Sequence, residues 1–298
     1  MVSPLNHLSE TLAGAVASAG GSVVRVEARR RMPASGIVWS AGGHILTAHH
    51  VIESDEGMMV GLPDGNEVSA TLVGRDPATD LAMLKADATG LAAPIWADPE
   101  ALRVGHIALA LGRPGRTVRA TLGIVSAKGG AWRTPSGGQV EAYLQTDAAM
   151  YPGFSGGPLV DASGGVIGMN TTAMAPGNTV VMPIPAVRRV VEALLSHGKV
   201  RRGYLGISTQ PVRLPDAYAR EVGQETGLLV AAVEAGSPAD RGGLLLGDTV
   251  VSMGGERVRH LDDLQAHLGG ERIGSPVAVR VLRGGRLQDV TVTVGERG

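Results

Sequence analysis

Short apolar runs separated by glycine-rich turns recur through most of the first two-thirds of this chain. Of its 298 residues, 44 are glycine and 17 are proline, a composition that supplies many tight connections. We predict strands at Gly36–Trp39, His44–Ala48, Met58–Leu62, Glu67–Asp76, Leu81–Ala86, Gly105–Leu111, Thr117–Ser126, Glu141–Thr146 and Val166–Thr171. Such closely spaced strands are typical of an all-β barrel or sandwich, and they predict a mainly β fold.

One turn in this region holds a serine between glycines, in the run Gly153-Phe154-Ser155-Gly156-Gly157-Pro158. A G-x-S-G-G run can hold its serine on a sharp turn and direct the amides of Gly153 and Ser155 at one point. An acyl-transfer enzyme needs such a nucleophile with an oxyanion site about 3 Å away. The same run also fits an ordinary tight turn of a β protein.

Candidates for a base and an orienting acid precede this serine. His49 and His50 come near the end of an apolar run, and Asp76 and Asp80 precede the strand that begins at Leu81. The order His, Asp, Ser is that of the chymotrypsin-type triad. Histidines at a strand end can also be solvated, and aspartates beside a proline can be turn residues. These residues alone do not decide between the two histidines or between the two aspartates.

The chain resembles the HtrA (DegP/DegS-like) serine proteases, which join a trypsin fold to a PDZ domain. The similarity extends over nearly the whole chain, and its most specific part is the Q-T-D-A-A…G-x-S-G-G block. Four segments carry it: Gly36–Val51, Asp76–Leu84, Gln145–Leu159 and Arg202–Ile207.

This resemblance implies a chymotrypsin-like double β-barrel over residues 1–198. His50, directly before Val51, matches the catalytic histidine of the family, and Asp80 matches its acid. Ser155 matches the nucleophile, and the amides of Gly153 and Ser155, with Phe154 as a further candidate, would form the oxyanion hole. The family usually has asparagine where Phe154 stands.

The resemblance also places a primary specificity pocket along Ala149 and Met150. An acidic residue would be needed there to bind arginine or lysine, and Ala149 stands six positions before Ser155 instead. We therefore expect a small or medium apolar side chain to enter the pocket. Such side chains are buried in folded proteins, so unfolded chains are the expected substrates.

A helix is predicted at Arg188–His197, with Gly198 as its stop. After a linker at residues 199–203, the resemblance implies an α+β PDZ domain at residues 204–298. A short helix is predicted at Asp262–Leu268, where an i, i+4 pair of leucines shares one face. That face can be plain core, or it can line a groove that receives a peptide C-terminus as an added strand. The groove residues implied are Tyr204, Leu205, Gly206, Ile207, Leu264 and Leu268.

Charge and composition exclude some partners. The net charge is −1 and no long basic run occurs, so nucleic acid is not an expected partner. We expect no cofactor and no metal. No apolar stretch approaches 18 residues, so no membrane span is predicted. The chain has no cysteine, which fits the cytosol.

The N-terminus favours a helix that begins near Ser9 and ends at Gly20 and Gly21, because no positively charged segment precedes its apolar residues. The default compartment is therefore the cytoplasm, and the alternative is the cell envelope if the chain is a trimmed form. The family commonly forms trimers through N-terminal aromatic residues, whereas residues 1–38 contain none.

The predicted function is that of an HtrA-type serine endopeptidase that cleaves unfolded or damaged proteins. C-terminal peptides would bind the PDZ groove and could regulate the protease. The alternative is a non-proteolytic chaperone or peptide-binding scaffold whose triad is at rest or vestigial.

Overall fold

Six antiparallel strands close into the first barrel of the computed structural model, which describes residues 3–30, 32–134, 138–174 and 179–296. The strands are β1 Val23–Glu27, β2 Ala34–Val38, β3 His44–Ala48, β4 Met58–Gly61, β5 Glu67–Asp76 and β6 Leu81–Ala86. Their order around the barrel is β1-β2-β3-β6-β5-β4, and β4 pairs with β1 to close it. All apolar residues of β3 and β6 are buried.

A second sheet of six strands follows. Its strands are β7 Ile107–Gly112, β8 Arg119–Gly129, β11 Tyr143–Thr146, β12 Pro158–Asp161, β13 Val166–Asn170 and β14 Val181–Pro183. The order is β11-β8-β7-β12-β13-β14. A bridge between Gln145 and Val180 brings the two ends of the sheet together, so the sheet curls into a second barrel. A small hairpin of β9 Trp132–Arg133 and β10 Gln139–Val140 lies outside it.

Two helices complete this part of the chain. Helix α1 spans Pro4–Gly20 and helix α2 spans Ile184–His197. Each begins four to five residues before the predicted start, because a proline in the first turn already has the helical φ and needs no amide partner there. Helix α2 ends as predicted at Gly198, which is left-handed with φ of 71°.

The remaining chain forms a smaller α+β unit. Its strands are β15 Gly203–Tyr204, β16 Ile207–Arg213, β17 Thr226–Val233, β18 Thr249–Met253, β19 Glu256–Arg257, β20 Pro276–Arg283, β21 Arg286–Thr293 and β22 Gly295–Glu296. The main sheet has the order β16-β17-β18-β20-β21. Its helices are α3 Asp216–Val222, α4 Pro238–Arg241 and α5 Leu261–Ala266. The N-cap residue of helix α5 is His260.

The chain divides into two compact units, Met1–Val200 and Arg201–Gly298. Each has its own buried core: apolar residues of both barrels and α2 in the first unit, and apolar residues of the main sheet, α4 and α5 in the second. The predicted mainly β fold, with two barrels followed by an α+β domain, is confirmed. No helix in the described part of the chain has both the length and the apolar character needed to cross a membrane.

Candidate active site

His50 is held at the end of β3 by a single 3₁₀ turn, His49–Val51. The amide of His49 donates to the main-chain carbonyl of Asp80 at 3.0 Å, and the amide of His50 donates to Asp80 Oδ1 at 2.8 Å. The ring Nδ1 of His50 lies 2.7 Å from Asp80 Oδ2. A neutral imidazole that donates from Nδ1 carries its lone pair on Nε2, so this contact prepares Nε2 to accept a proton.

Asp80 is buried at the start of β6, and its backbone is left-handed with φ of 55°. The tight turn before it is held by Asp76, whose carboxylate accepts the Thr79 hydroxyl at 2.6 Å and the Ala78 amide at 3.3 Å. The hydroxyl of Thr171 also donates to Asp80 Oδ2. Asp76 therefore shapes the turn, and Asp80 is the carboxylate that contacts the histidine.

His49 has different surroundings from its neighbour. Its side chain is half-buried, and its Nδ1 is buried without a hydrogen-bond partner among the described residues. Burial lowers the pKa of His49, against the opposing effect of the Asp80 carboxylate. The half-buried ring of His49 thus differs from that of His50, which makes the contact with the acid.

Ser155 lies in a tight turn between β11 and β12, and only 6% of its surface is exposed. Gly153 has φ of 91°, and a Cβ added to it would meet Pro114 at 2.5 Å, so a side chain is excluded at this position. The Ser155 hydroxyl lies 3.3 Å from Thr172 Oγ1, just beyond β13. This is the hydrogen bond that it makes within the described part of the chain.

The amides of this turn fall into two groups. Phe154 donates to the Tyr151 carbonyl at 3.0 Å, and Gly156 donates to the Asn170 carbonyl at 2.9 Å. The amides of Gly153 and Ser155 donate to no protein acceptor among the described residues. These two amides are the ones available to a substrate oxygen. The Phe154 amide, the further candidate for the oxyanion hole, already donates within the turn.

The side chain of Phe154 points into the second barrel. It is fully buried in a hydrophobic cluster that includes Ala110 and Leu159. The ring of Tyr151 meets it edge-on, with 5.9 Å between the ring centroids. The ring therefore anchors the turn to the core and does not reach the surface near Ser155.

The two predicted pocket residues differ in exposure. Ala149 is exposed, and its carbonyl accepts the Thr121 hydroxyl at 2.7 Å. Met150 is half-buried and packs on the cluster that contains Phe154. Sequence reasoning missed Thr171 and Thr172, because a threonine pair after a strand is common and carries no distinctive signal.

The second unit presents free amides at the turn between β15 and β16. Those of Leu205 and Gly206 donate to no protein acceptor within the described residues. Gly206 has φ of 81°, and a Cβ there would lie 2.2 Å from Ser237 Cβ. The Tyr204 hydroxyl donates to Glu234, and Ile207 pairs with Val233.

Two leucines of the predicted groove lie at helix α5. Leu264 is buried in the core of the second unit, and Leu268 is partly buried against the same core. The burial of Leu264 fits the interpretation of this helix face as core. In the described part of the chain, no group of three or more His, Cys, Asp or Glu side chains is arranged to hold a metal ion.

Comparison with known proteins agrees with this architecture. Residues 34–169 match the family described as trypsin-like peptidase domain, and residues 203–294 match the PDZ domain family. Fold and site together define a trypsin-like serine peptidase unit joined to one PDZ domain.

Curated relatives and solved structures refine the assignment. The chain is 38% identical over 267 residues to a probable periplasmic serine endoprotease, DegP-like, of Pseudomonas putida, covering 88% of this chain and 55% of the relative. A protein of the same name from Rhizobium meliloti is 37% identical over 276 residues, covering 90% and 54%. The chain thus spans about half the length of the curated relatives it matches.

Two solved structures match almost end to end. The HtrA-type protease AlgW with decapeptide is 31% identical with a TM-score of 0.79, covering 96% of this chain and 99% of that one. The serine endoprotease from Yersinia pestis is 31% identical with a TM-score of 0.80, covering 96% and 98%. The chain belongs to the HtrA-type serine proteases, as its motifs predicted.

Proposed function

We propose that this chain is a serine endopeptidase in which Ser155, His50 and Asp80 act as nucleophile, base and orienting acid. Ser155 Oγ attacks the peptide carbonyl carbon and forms a C–O bond while its proton passes to His50 Nε2. Asp80 accepts the hydrogen bond from Nδ1 and stabilises the imidazolium. The amides of Gly153 and Ser155 bind the oxyanion of the tetrahedral intermediate.

The second half of the reaction uses the same groups. The C–N bond breaks as His50 gives its proton to the leaving amine, which leaves an acyl-enzyme ester on Ser155. Water, deprotonated by His50, then attacks the ester and releases the acid product. In the structure the Ser155 hydroxyl lies within hydrogen-bonding distance of Thr172 Oγ1, and it must donate to His50 Nε2 before it attacks.

The observation that carries the proposal is the double hydrogen bond from His50 to Asp80. The main-chain amide and the ring Nδ1 both bind the carboxylate, at 2.8 and 2.7 Å. A histidine held by both contacts has its ring orientation and its tautomer fixed together, which a general base requires and a structural histidine does not. This favours a working protease over a scaffold with a vestigial triad.

The substrates proposed are unfolded or damaged proteins, cleaved after small or medium apolar side chains. Support comes from Ala149 and Met150, which bring no charge to the proposed pocket. Exposure of apolar side chains distinguishes unfolded from folded chains. A role in protein quality control follows from this preference.

Peptide C-termini are the proposed ligands of the second unit. The free amides of Leu205 and Gly206 are suited to a carboxylate, and the adjoining strand β16 can accept an added strand. Solved structures of AlgW are described with a decapeptide and with a tripeptide, which supports peptide binding here.

We propose the cell envelope as the compartment of this protein. The curated relatives are named periplasmic, and this does not support the cytoplasmic default that the sequence suggested.

A casein assay combined with fluorophosphonate labelling tests the activity. We expect the wild type to cleave unfolded casein and to be labelled, and Ser155→Ala to do neither. His50→Ala should lose cleavage, whereas the matched variant His49→Ala should keep most of it, because within the described residues the His49 side chain makes no hydrogen bond to the Asp80 carboxylate and its main-chain amide is retained. A wild type that neither cleaves casein nor takes the label would refute the proposal. A His49→Ala variant that is inactive beside an active His50→Ala would overturn the choice of base.

A further inference from the structure

Ser35, in strand β2 of the first barrel, lies directly behind the turn that carries Ser155. Its side chain is fully buried. Its hydroxyl donates to the Gly153 carbonyl at 2.6 Å, and its amide donates to the Ser155 carbonyl at 3.1 Å. One residue of the first barrel thus binds two carbonyls of a turn that belongs to the second barrel, 118 positions away along the chain.

The hydroxyl of Ser35 has only one possible direction for its proton. Its oxygen accepts the Arg113 amide at 2.7 Å, and a serine hydroxyl has a single proton to donate. That proton therefore goes to Gly153. Arg113 is itself held in place by its side chain, because its guanidinium donates to the carbonyls of Val23, Gly20 and Arg116.

Binding a carbonyl fixes more than the carbonyl itself. A peptide unit is planar, so a held C=O also fixes the plane of the N–H on the following residue. Ser35 holds the Gly153–Phe154 and Ser155–Gly156 peptide units, which lie on either side of the unit that carries the Ser155 amide. The Gly153 contact also restricts ψ of Gly153, the residue that supplies the other free amide.

A link to the base side of the site adds to this arrangement. The Ser35 carbonyl accepts the hydroxyl of Thr47 at 2.7 Å, and Thr47 lies in β3 three residues before His50. Gly156 fits against the same place, since a Cβ added to it would come within 2.1 Å of the Ser35 carbonyl oxygen. Ser35 is therefore in contact with the elements that carry both the base and the nucleophile.

We propose that Ser35 is a positioning residue of the protease, which aims the amides of Gly153 and Ser155 at the oxyanion. This inference rests on the proposed peptidase function. Ser35 touches no substrate atom and acts only through the turn. Its loss should therefore weaken binding of the transition state and leave binding of the substrate ground state unchanged.

The test compares Ser35→Ala with Ser22→Ala in the full chain. Ser22 is a matched control because it is similarly buried and its hydroxyl donates to a carbonyl, that of Ala19 at 2.8 Å, away from the turn. Removing an oxyanion donor outright costs about 10²–10³ in kcat, so a loosened donor should cost about tenfold. We expect Ser35→Ala to lose about tenfold in kcat on a peptide substrate, with KM changed less than about twofold.

Two further measurements separate positioning from general damage. A peptide aldehyde forms a hemiacetal whose oxygen occupies the oxyanion site, so its affinity for Ser35→Ala should fall by about the same tenfold factor. The pH dependence of kcat/KM, which reports the free base, should keep its midpoint because His50 and Asp80 are untouched. Ser22→Ala should match the wild type in all of these measurements.

Three outcomes would overturn the inference: an unchanged kcat in folded Ser35→Ala, an equal loss in Ser22→Ala, or a loss that appears only in KM. If Ser35→Ala does not fold, Ser35→Cys carries the same test, because a thiol of similar size is a weak donor. If the wild type cleaves no substrate, the proposed function fails by itself. Hydrogen exchange of the Phe154 and Gly156 amides then decides the inference: faster exchange in Ser35→Ala supports it, and unchanged exchange refutes it.

Discussion

Asp80 is the one non-glycine residue with a positive φ among the residues that the structure describes. Left-handed backbone costs an ordinary residue roughly 1–2 kcal/mol, and aspartate and asparagine tolerate it best because their short polar side chains bond locally. Here the strain is offset by the hydrogen bonds that His50 and Thr171 make to the carboxylate. The left-handed conformation is unfavourable for the backbone, and it directs the Asp80 carboxylate at His50.

Asp80→Asn should separate catalysis from folding. Asparagine tolerates the left-handed backbone and has the same size as aspartate, so the melting temperature should change by only about a few degrees. It cannot hold the His50 tautomer as a carboxylate does, and we expect kcat to fall on the order of 10⁴. Peptide hydrolysis and circular dichroism measure the two effects.

The control for this variant is the exposed Asp64, whose carboxylate accepts hydrogen bonds from Asn66 within its own turn. Asp64→Asn should keep full turnover. An Asp80→Asn protein with near-normal kcat would show that the carboxylate does not orient the base.

Motifs predicted the residues whose neighbours along the chain are distinctive, and missed those defined only by folding. His50, Asp80 and Ser155 each stand in a characteristic run, and the structure brings His50 to Asp80. Thr171 meets Asp80 across 91 positions, and Ser35 meets Gly153 across 118. Nothing local in the sequence marks these partners, because their roles arise from the meeting of two barrels. The hydrogen bond from the Phe154 amide to the Tyr151 carbonyl likewise depends on the geometry of the folded turn.

At the scale of elements, strand limits were easier to predict than helix starts. Strands β3, β5 and β6 begin and end at the predicted residues. Both long helices start earlier than predicted, at prolines that we did not take as helix starts. The end of α2 was predicted, because a glycine after an apolar face is a strong stop signal.

The same substitution at two glycines of these helices should have opposite effects. Gly14 lies mid-helix in α1 with nothing within 4 Å of an added Cβ, so Gly14→Ala should stabilise the first unit by about 0.5–1 kcal/mol. Gly198 has φ of 71°, so Gly198→Ala should destabilise it by about 1–2 kcal/mol.

Denaturant unfolding followed by tryptophan fluorescence measures both changes, because all three tryptophans lie in the first unit. Each variant serves as the control for the other. Changes of the same sign in both variants would show that backbone conformation does not govern the response.

At the scale of the whole molecule, the two units have separate hydrophobic cores and separate sites. The proposed chemistry belongs entirely to the first unit, and the free amides of Leu205 and Gly206 belong to the second. Hydrolysis and peptide capture should therefore be separable by single changes.

Ser155→Ala should abolish hydrolysis and leave the affinity for C-terminal peptides unchanged within about twofold. Replacing the peptide carboxylate by an amide should weaken binding about tenfold or more, because the charge-assisted hydrogen bonds to the main-chain amides are lost. Fluorescence anisotropy with labelled peptides measures both. Equal binding of the acid and the amide would rule out carboxylate capture by this turn.

Phe154 offers a single position for a spectroscopic label in this protein. It is the single phenylalanine of the chain, and it is buried beneath the turn that holds Ser155. Biosynthetic labelling with fluorophenylalanine would therefore introduce one ¹⁹F resonance, with no assignment problem. Because the ring is packed in the second barrel and its own amide is tied to Tyr151, that resonance would follow rearrangements of the turn directly. Binding of an inhibitor or a peptide could then be followed at the turn itself, without any assay of cleavage.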